Sequence, residues 1–277
     1  MTPEGSSVVR ARLEAILRGL GEVAVAVSGG VDSLTLATVA HRRLGEHATM
    51  VHAVSPAVPA HATDRVRSIG GEQGWRLHVL DAREFDDPHY VANPVDRCFY
   101  CKTNLYDAIA RHSAGRSVTI VSGTNVDDLS DYRPGLRAAD EHGVHHPFVE
   151  AGADKVAVRR LARELGLGSI AELPASPCLS SRVETGIAIR PRTLAYVEAV
   201  EALVSESFGF ATVRCRIRSE GVVIELDRDD LAGLDTDGRH QLLRRVSELG
   251  AGRKLHHAVS LAPYRMGSAF LHRGEQP

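Results

Sequence analysis

Apolar residues recur at two different periods along the chain, and the alternation of those periods predicts its architecture. Val9, Leu13, Ile16, Leu17 and Leu20 fall at helical spacing over 8–20. The run VAVAV (23–27) is apolar at every position, as a parallel strand covered on both faces requires. A helix follows from about Asp32 to Leu44, then a strand over 48–54, a helix over 61–73 and a strand over 76–82. The same reading gives a helix over 101–113, a strand over 117–123 and an amphipathic helix over 154–167. Strands alternating with helices predict an α/β fold built on an open parallel sheet with right-handed crossovers.

Beyond that point the pattern changes. Residues 192–206 read as a helix, and 210–219 with 221–227 as a hairpin turning at Ser219-Glu220-Gly221. A helix over 238–249 and a last strand over 254–262 complete the chain. A main domain of 1–190 is therefore expected, followed by a smaller C-terminal α+β domain of 191–277, with the boundary near Arg190-Pro191. The second domain is assigned to substrate binding or oligomerisation.

Composition narrows the function. Of 277 residues, 43% are hydrophobic and 25% charged, ordinary globular values that argue against disorder and coiled coil. The net charge is −2 with no long block of either sign, so a broad nucleic-acid surface is not expected. No apolar run approaches the roughly 18 residues that span a bilayer. The first twenty residues include Glu4 and Glu14 and do not read as a signal peptide, so a cytoplasmic protein is expected. Four cysteines are too few for a disulfide scaffold. In a reducing compartment they are packing residues, metal ligands or reactive thiols.

The first strand runs into SGGVDS (28–33) and then into a helix. Such a turn exposes backbone N–H groups and aims a helix N-terminus at its contents, which suits phosphate. Gly29 and Gly30 allow close backbone approach, and Ser28 and Ser33 offer hydroxyls. Neither a Walker A loop nor a dinucleotide fingerprint is present. Asp32 beside a phosphate is repulsive unless Mg²⁺ lies between them. A metal-bound pyrophosphate is the expected ligand; the alternative is a plain strand–turn–helix of small residues. SGGVDS resembles the PP-loop of the ATP pyrophosphatase superfamily, whose members split ATP between its α and β phosphates. SGTNVDD (122–128), after the fourth strand, resembles the second nucleotide-side loop of such enzymes. Both loops are expected at the carboxyl edge of the sheet.

Three cysteines bear on the chemistry. Cys98 and Cys101 lie in DRCFYCK, and Cys178 in PASPCLSSR. Arg182 stands close enough in sequence to lower the pKa of the Cys178 thiol. Three thiolates can hold a [4Fe–4S] cluster and leave one iron without a protein ligand. They can equally hold zinc with one of His112, His142, His145 or His146 as the fourth ligand.

The ordered set SGGVDS, DRCFYCK, SGTNVDD, DYRPG, PASPCLSSR and PYRMGS resembles the LarE family across nearly the whole chain. These are ATP-dependent sulfur transferases of nickel-pincer nucleotide cofactor biosynthesis. Their substrate is pyridinium-3,5-biscarboxylic acid mononucleotide, whose carboxylates become thiocarboxylates. One family variant sacrifices the sulfur of the cysteine in PCLSSR. The other uses that cysteine and a CxxC to hold a [4Fe–4S] cluster, and the presence of Cys98, Cys101 and Cys178 places this sequence with it. Pro263 stands where members often carry a glycine before the Tyr-Arg. The resemblance also implies a homo-oligomer.

Roles follow from that resemblance. Ser28, Gly29, Gly30, Asp32 and Ser33 would hold ATP and its Mg²⁺, with Gly123, Thr124 and Asn125 flanking the nucleotide. Lys102 is a candidate phosphate cation, or else a solvated helix-start lysine. Strand alternation puts Arg214, Arg216 and Arg218 on one face, where they repel unless an anion or acids lie opposite. Arg214 and Arg216 are therefore candidates for the substrate phosphate, with Arg182 and Arg265 beside them; the alternative is pairing with Glu225 and Asp227. Cys215 reads as core packing and the histidines of EHGVHHPF as loop residues, while Asp127 and Asp128 either orient the nucleotide or cap the next helix. A tRNA thiolase of the same superfamily and a non-catalytic nucleotide-binding module with structural zinc are the competing readings.

Overall fold

The computed structural model describes residues 3–130, 134–252 and 258–270. In chain order the first elements are α1 (Pro3–Leu20), β1 (Val23–Ala26), α2 (Val31–Leu44), β2 (Ala48–Val54), α3 (Ala60–Gln73) and β3 (Arg76–Asp81). Then come α4 (Pro88–Val91), α5 (Arg97–His112), β4 (Thr119–Ser122), α6 (Pro134–Glu141), α7 (Pro147–Glu150) and α8 (Lys155–Glu164). The chain continues with α9 (Pro191–Phe208), β5 (Val213–Arg218), β6 (Gly221–Leu226), α10 (Arg228–Gly233), α11 (Thr236–Gly252) and β7 (Val259–Pro263). Among the described residues no helix is long and apolar enough to cross a membrane.

Contacts divide the chain into two units, Met1–Asp86 with Asp96–Ser176, and Asp87–Val95 with Pro177–Pro277. The Arg190-Pro191 junction lies inside the second unit. The residues just before it belong there because Val183 bridges Ile217 of β5 and Glu184 N donates to Ile217 O at 2.9 Å.

The first unit is an α/β fold on a parallel sheet of order β3-β2-β1-β4. The all-apolar β1 is central because both its faces are covered. Val23 and Val25 enter one core with Leu13, Leu34 and Phe148; Ala24 and Ala26 enter the other with Tyr106 and Ile109. Since β2 and β4 flank β1 on opposite sides, the carboxyl ends of β1 and β4 are the switch point of the sheet, where open α/β folds bind their ligands. Beyond β4 the edge is extended by backbone pairing of Val121 with His145.

In the second unit β5 and β6 form the expected antiparallel hairpin, and β7 adds to β6 in parallel. Leu194, Val197, Val200, Cys215, Ile224, Leu242 and Val246 are buried there. The last strand begins at Val259; residues 254–257, also assigned to it from sequence, lie outside those described.

Candidate functional site

The turn after β1 is shaped by its small residues. Gly29 has φ +86°, and a Cβ there would stand 2.8 Å from Ala62 O. Both the backbone region and the close approach therefore demand glycine. Gly30 is the extended N-cap residue of α2, which starts at Val31, one residue earlier than the sequence pattern predicts. The Ser33 hydroxyl accepts from Ser28 N at 3.1 Å and donates to Gly30 O at 3.1 Å, and Ser28 Oγ lies 3.1 Å from it. The loop is thus closed on itself, with Ser28 exposed.

Two neighbours brace it. His52 of β2 is buried, with Nδ1 2.8 Å from Val27 O and Nε2 3.0 Å from Thr63 Oγ1. A carbonyl can only accept, so Nδ1 carries the proton. Burial lowers the His52 pKa; the Val27 bond opposes this and the Arg67 charge adds to it. Arg65 of α3 donates to Gly29 O at 2.8 Å.

The loop after β4 comes against the first turn of α2. A Cβ on Gly123 would stand 2.8 Å from Ser33 N and 2.9 Å from Asp32 C, so only glycine fits. Asn125 is buried; its Nδ2 donates to Asp32 Oδ1 at 3.3 Å and its Oδ1 accepts from Asp127 N at 3.0 Å. Asp128 accepts from Asn125 N at 3.0 Å, and Asp127 accepts from Lys155 N at 3.0 Å. The two aspartates therefore tie this loop together and to α8. Lys155 Nζ pairs with the Asp32 carboxylate. The carboxylate assigned to Mg²⁺ is thus neutralised by an ammonium, which a metal there would have to displace.

Ser122 Oγ lies 3.1 Å from Thr124 Oγ1 and 2.8 Å from His146 Nδ1. Burial lowers the His146 pKa; Glu150 opposes this, and the Lys102 charge adds to it. Lys102 Nζ lies 5.9 Å from the Tyr106 ring centroid. Helix α5 begins at Arg97, so Cys98 and Cys101 are both inside it, three residues apart on one face. The Lys102 charge reaches His146, which stands against Ser122 at the carboxyl end of β4, so the start of α5 lies on the side of the sheet that carries the second loop. Asp131–Arg133 of the DYRPG motif lie outside the described residues.

Within the second unit Cys178 is exposed and heads a short turn, Leu179–Arg182. Arg182 is buried and grips both oxygens of Glu201 at 2.9 Å. Its third nitrogen donates to Pro177 O at 2.7 Å, Cys178 O at 3.1 Å and Ser181 Oγ at 3.0 Å, which fixes the cysteine turn. Burial pulls the Arg182 pKa down, but Glu201 outweighs it and the net shift is upward. Breaking a buried pair of this kind costs about 3–5 kcal/mol.

The three arginines of β5 differ. Arg216 is buried, bonded to Glu225 at 2.8 Å and to the carbonyls of Ser181 and Arg265. Arg218 reaches Glu184 at 3.3 Å and Glu225 at 3.2 Å. Glu225 thus serves two of them, and Glu184 takes the place that the sequence reading gives to Asp227. Arg214 lies 5.7 Å from the Tyr264 ring, and burial, reinforced by the Arg182 charge, lowers its pKa. Arg265 is exposed. Cys215 is fully buried, which pushes its thiol pKa well up.

The four cysteines form no disulfide. Cys98, Cys101 and Cys178 are ligands of the kind a [4Fe–4S] cluster takes. Among the described residues, however, no three His, Cys, Asp or Glu side chains are gathered to hold a metal ion. Sequence reasoning misses His52, Arg65 and Lys155 at this site, and passes over His146 as a loop residue. Each is a single polar residue on a strand, in a helix or at a loop end, with no motif around it.

No family model matches the chain. It is 34% identical over 219 residues to the pyridinium-3,5-bisthiocarboxylic acid mononucleotide synthase of Lactiplantibacillus plantarum, covering 78% of this chain and 79% of that protein. An uncharacterised protein of Synechocystis is 33% identical over 228 residues, covering 81% of this chain and 84% of its own. A glutamine-hydrolysing GMP synthase chain of Methanopyrus kandleri is 26% identical over 212 residues, 72% of this chain and 68% of that protein.

Proposed function

Because the chain belongs to the LarE family of PP-loop ATP pyrophosphatases, we propose that it is an ATP-dependent sulfur transferase of nickel-pincer nucleotide cofactor biosynthesis. Its substrate in this reading is pyridinium-3,5-biscarboxylic acid mononucleotide, the dicarboxylate counterpart of the bisthiocarboxylic product named for the Lactiplantibacillus relative. A carboxylate repels a thiolate, and adenylation removes that charge and creates a leaving group. The carboxylate oxygen attacks the α-phosphorus of ATP, pyrophosphate departs, and an acyl-adenylate forms.

The ATP half rests on one observation: a glycine-tight turn and a second loop meet at a carboxylate that already holds a cation. In this reading Ser28, Gly29, Gly30 and Ser33 take the phosphates, and Asp32 holds Mg²⁺. Gly123, Thr124 and Asn125 border the nucleotide, and Lys102 adds positive charge at the same edge. Arg214 and the exposed Arg265 are assigned to the substrate phosphate, and Arg182 and Arg216, whose donors are taken by Glu201, Glu225 and backbone carbonyls, stand beside it.

For the sulfur step two forms stand. In the first, Cys98, Cys101 and Cys178 are the three thiolates of a [4Fe–4S] cluster. Such a cluster, when bound, offers an iron without a protein ligand to carry sulfide. In the second, favoured by the exposed position of Cys178 at the head of its turn, that thiolate attacks the acyl carbon and expels AMP. A base then takes the Cys178 α-proton and the Cβ–S bond breaks. The thiocarboxylate leaves, and dehydroalanine remains in the chain.

The test is anaerobic incubation of the full chain with ATP, Mg²⁺, sulfide and the dicarboxylate nucleotide, with products read by mass spectrometry. AMP, pyrophosphate and a thiocarboxylate are expected in equal amounts. Absence of the thiocarboxylate from a chain that binds ATP rules the reading out.

A further inference from the structure

We infer that Lys155 is a binding residue of the nucleotide site: it neutralises Asp32 while the site is without nucleotide, and gives its charge to the polyphosphate once a divalent metal ion takes that carboxylate. The inference deepens the ATP-using reading and rests on it.

Asp32 stands in the first turn of α2, beside a loop whose backbone donors attract anions. An uncompensated carboxylate there would repel the phosphates that the loop is shaped for. Two groups hold it: Asn125 Nδ2 on Oδ1 at 3.3 Å, and Lys155 Nζ on Oδ2. The pair is partly open to solvent, with 37% of the Lys155 side chain and 24% of the Asp32 side chain exposed, so an incoming ion can reach it.

The backbone of Lys155 is held from two sides. Asp154 caps α8 by accepting from Ala157 N at 2.7 Å, and Asp127 accepts from Lys155 N at 3.0 Å. Asp127 belongs to the same loop as Asn125, whose amide holds the other oxygen of Asp32. The root of the side chain is therefore fixed relative to the carboxylate, while the ammonium sits on a flexible four-carbon stem. The charge can move although the helix does not.

Mg²⁺ or Mn²⁺ binds oxygen ligands and repels an ammonium competing for the same oxygen. A metal on Asp32 therefore displaces Lys155. The polyphosphate that arrives with the metal is the anion within the stem's range. Lys155 thus opposes binding of the bare metal and assists binding of the metal–nucleotide complex.

Those opposite signs make the test. Lys155→Met keeps the stem and removes the charge. Mn²⁺ alone, followed by electron paramagnetic resonance of the free ion, should bind this variant about fivefold more tightly than the wild type, the scale of an exposed ion pair. ATP with saturating Mg²⁺, followed by calorimetry, should bind at least about tenfold more weakly, the scale of a hydrogen bond to a charged group. Parallel weakening of both ligands would show a merely structural role for Lys155, and any pattern other than opposite shifts overturns the inference. If the wild-type chain itself binds no Mg·ATP, the ATP reading fails and takes the inference with it. If the wild type binds and the variant binds equally, only the inference fails.

Discussion

At the scale of single residues the approach of the two loops to α2 and α3 is set by what is missing from two positions. Gly29 lacks a Cβ that would meet Ala62 O, and Gly123 lacks one that would meet Ser33 N and Asp32 C. The contacts at Gly123 are backbone atoms of α2 and cannot rotate away, so a methyl group must push the β4 loop off the first turn of α2. Overpacking of this kind costs about 1–3 kcal/mol. Gly123→Ala should therefore remain folded, lose stability in that range in urea, and bind Mg·ATP at least about tenfold more weakly by calorimetry. Unchanged ATP affinity would mean the two loops do not share a ligand. The glycines of the first loop are legible because SGGVDS is a contiguous signature. Lys155 is not: its partner is 123 residues away, and a lone lysine opening a helix has no pattern to mark it. Arg65 and His146 escape for the same reason, since each is defined by a contact with a distant loop.

Elements are legible where one period covers their length. Strand β2 spans the 48–54 expected from ATMVHAV, and the VAVAV run marks the central strand because both faces must be apolar. The sequence pattern starts helix α5 four residues late, at Cys101 instead of Arg97. Its first turn, RCFY, has no apolar repeat, and Arg97 is buried there. The four-residue helices α4 and α7 are too short to show a period. The join between β1, β2 and α3 gives the element-scale prediction. His52 holds the end of β1 through Val27 O and reaches α3 through Thr63. Its folded pKa lies below the ordinary 6.5 because the site is buried. Above 6.5 both folded and unfolded imidazoles are neutral, and the contribution to stability is intact. As pH falls further the unfolded chain takes the proton first, and stability is lost down to the folded pKa, at no more than about 1.4 kcal/mol per pH unit. The urea midpoint should therefore fall as the pH is lowered from about 7.5 to about 5.5, and less steeply in His52→Gln. A residual slope is expected, since burial also lowers the pKa of His78 and His146. Equal slopes in wild type and variant would remove His52 from this role.

At the scale of the whole molecule the chain's own mass tells whose sulfur leaves. A chain that passes on sulfide from outside returns to its starting composition after each product. A chain that spends Cys178 becomes lighter by one H₂S and cannot act again. The CxxC of α5 is needed only in the first case, which makes Cys98 the discriminating position. It is half-buried at the first turn of a helix, and its replacement by alanine should keep the circular-dichroism spectrum and the Mg·ATP affinity of the wild type. With iron and sulfide restored anaerobically, the wild-type chain should make several thiocarboxylates per chain at constant intact mass. Cys98→Ala should bind Mg·ATP as the wild type does yet make no more than one product per chain. Cys178→Ala should make none while still binding ATP. If the wild-type mass falls by one H₂S in step with each product, Cys178 is the donor. The pair on α5 is then a structural feature of the helix and not part of the sulfur path.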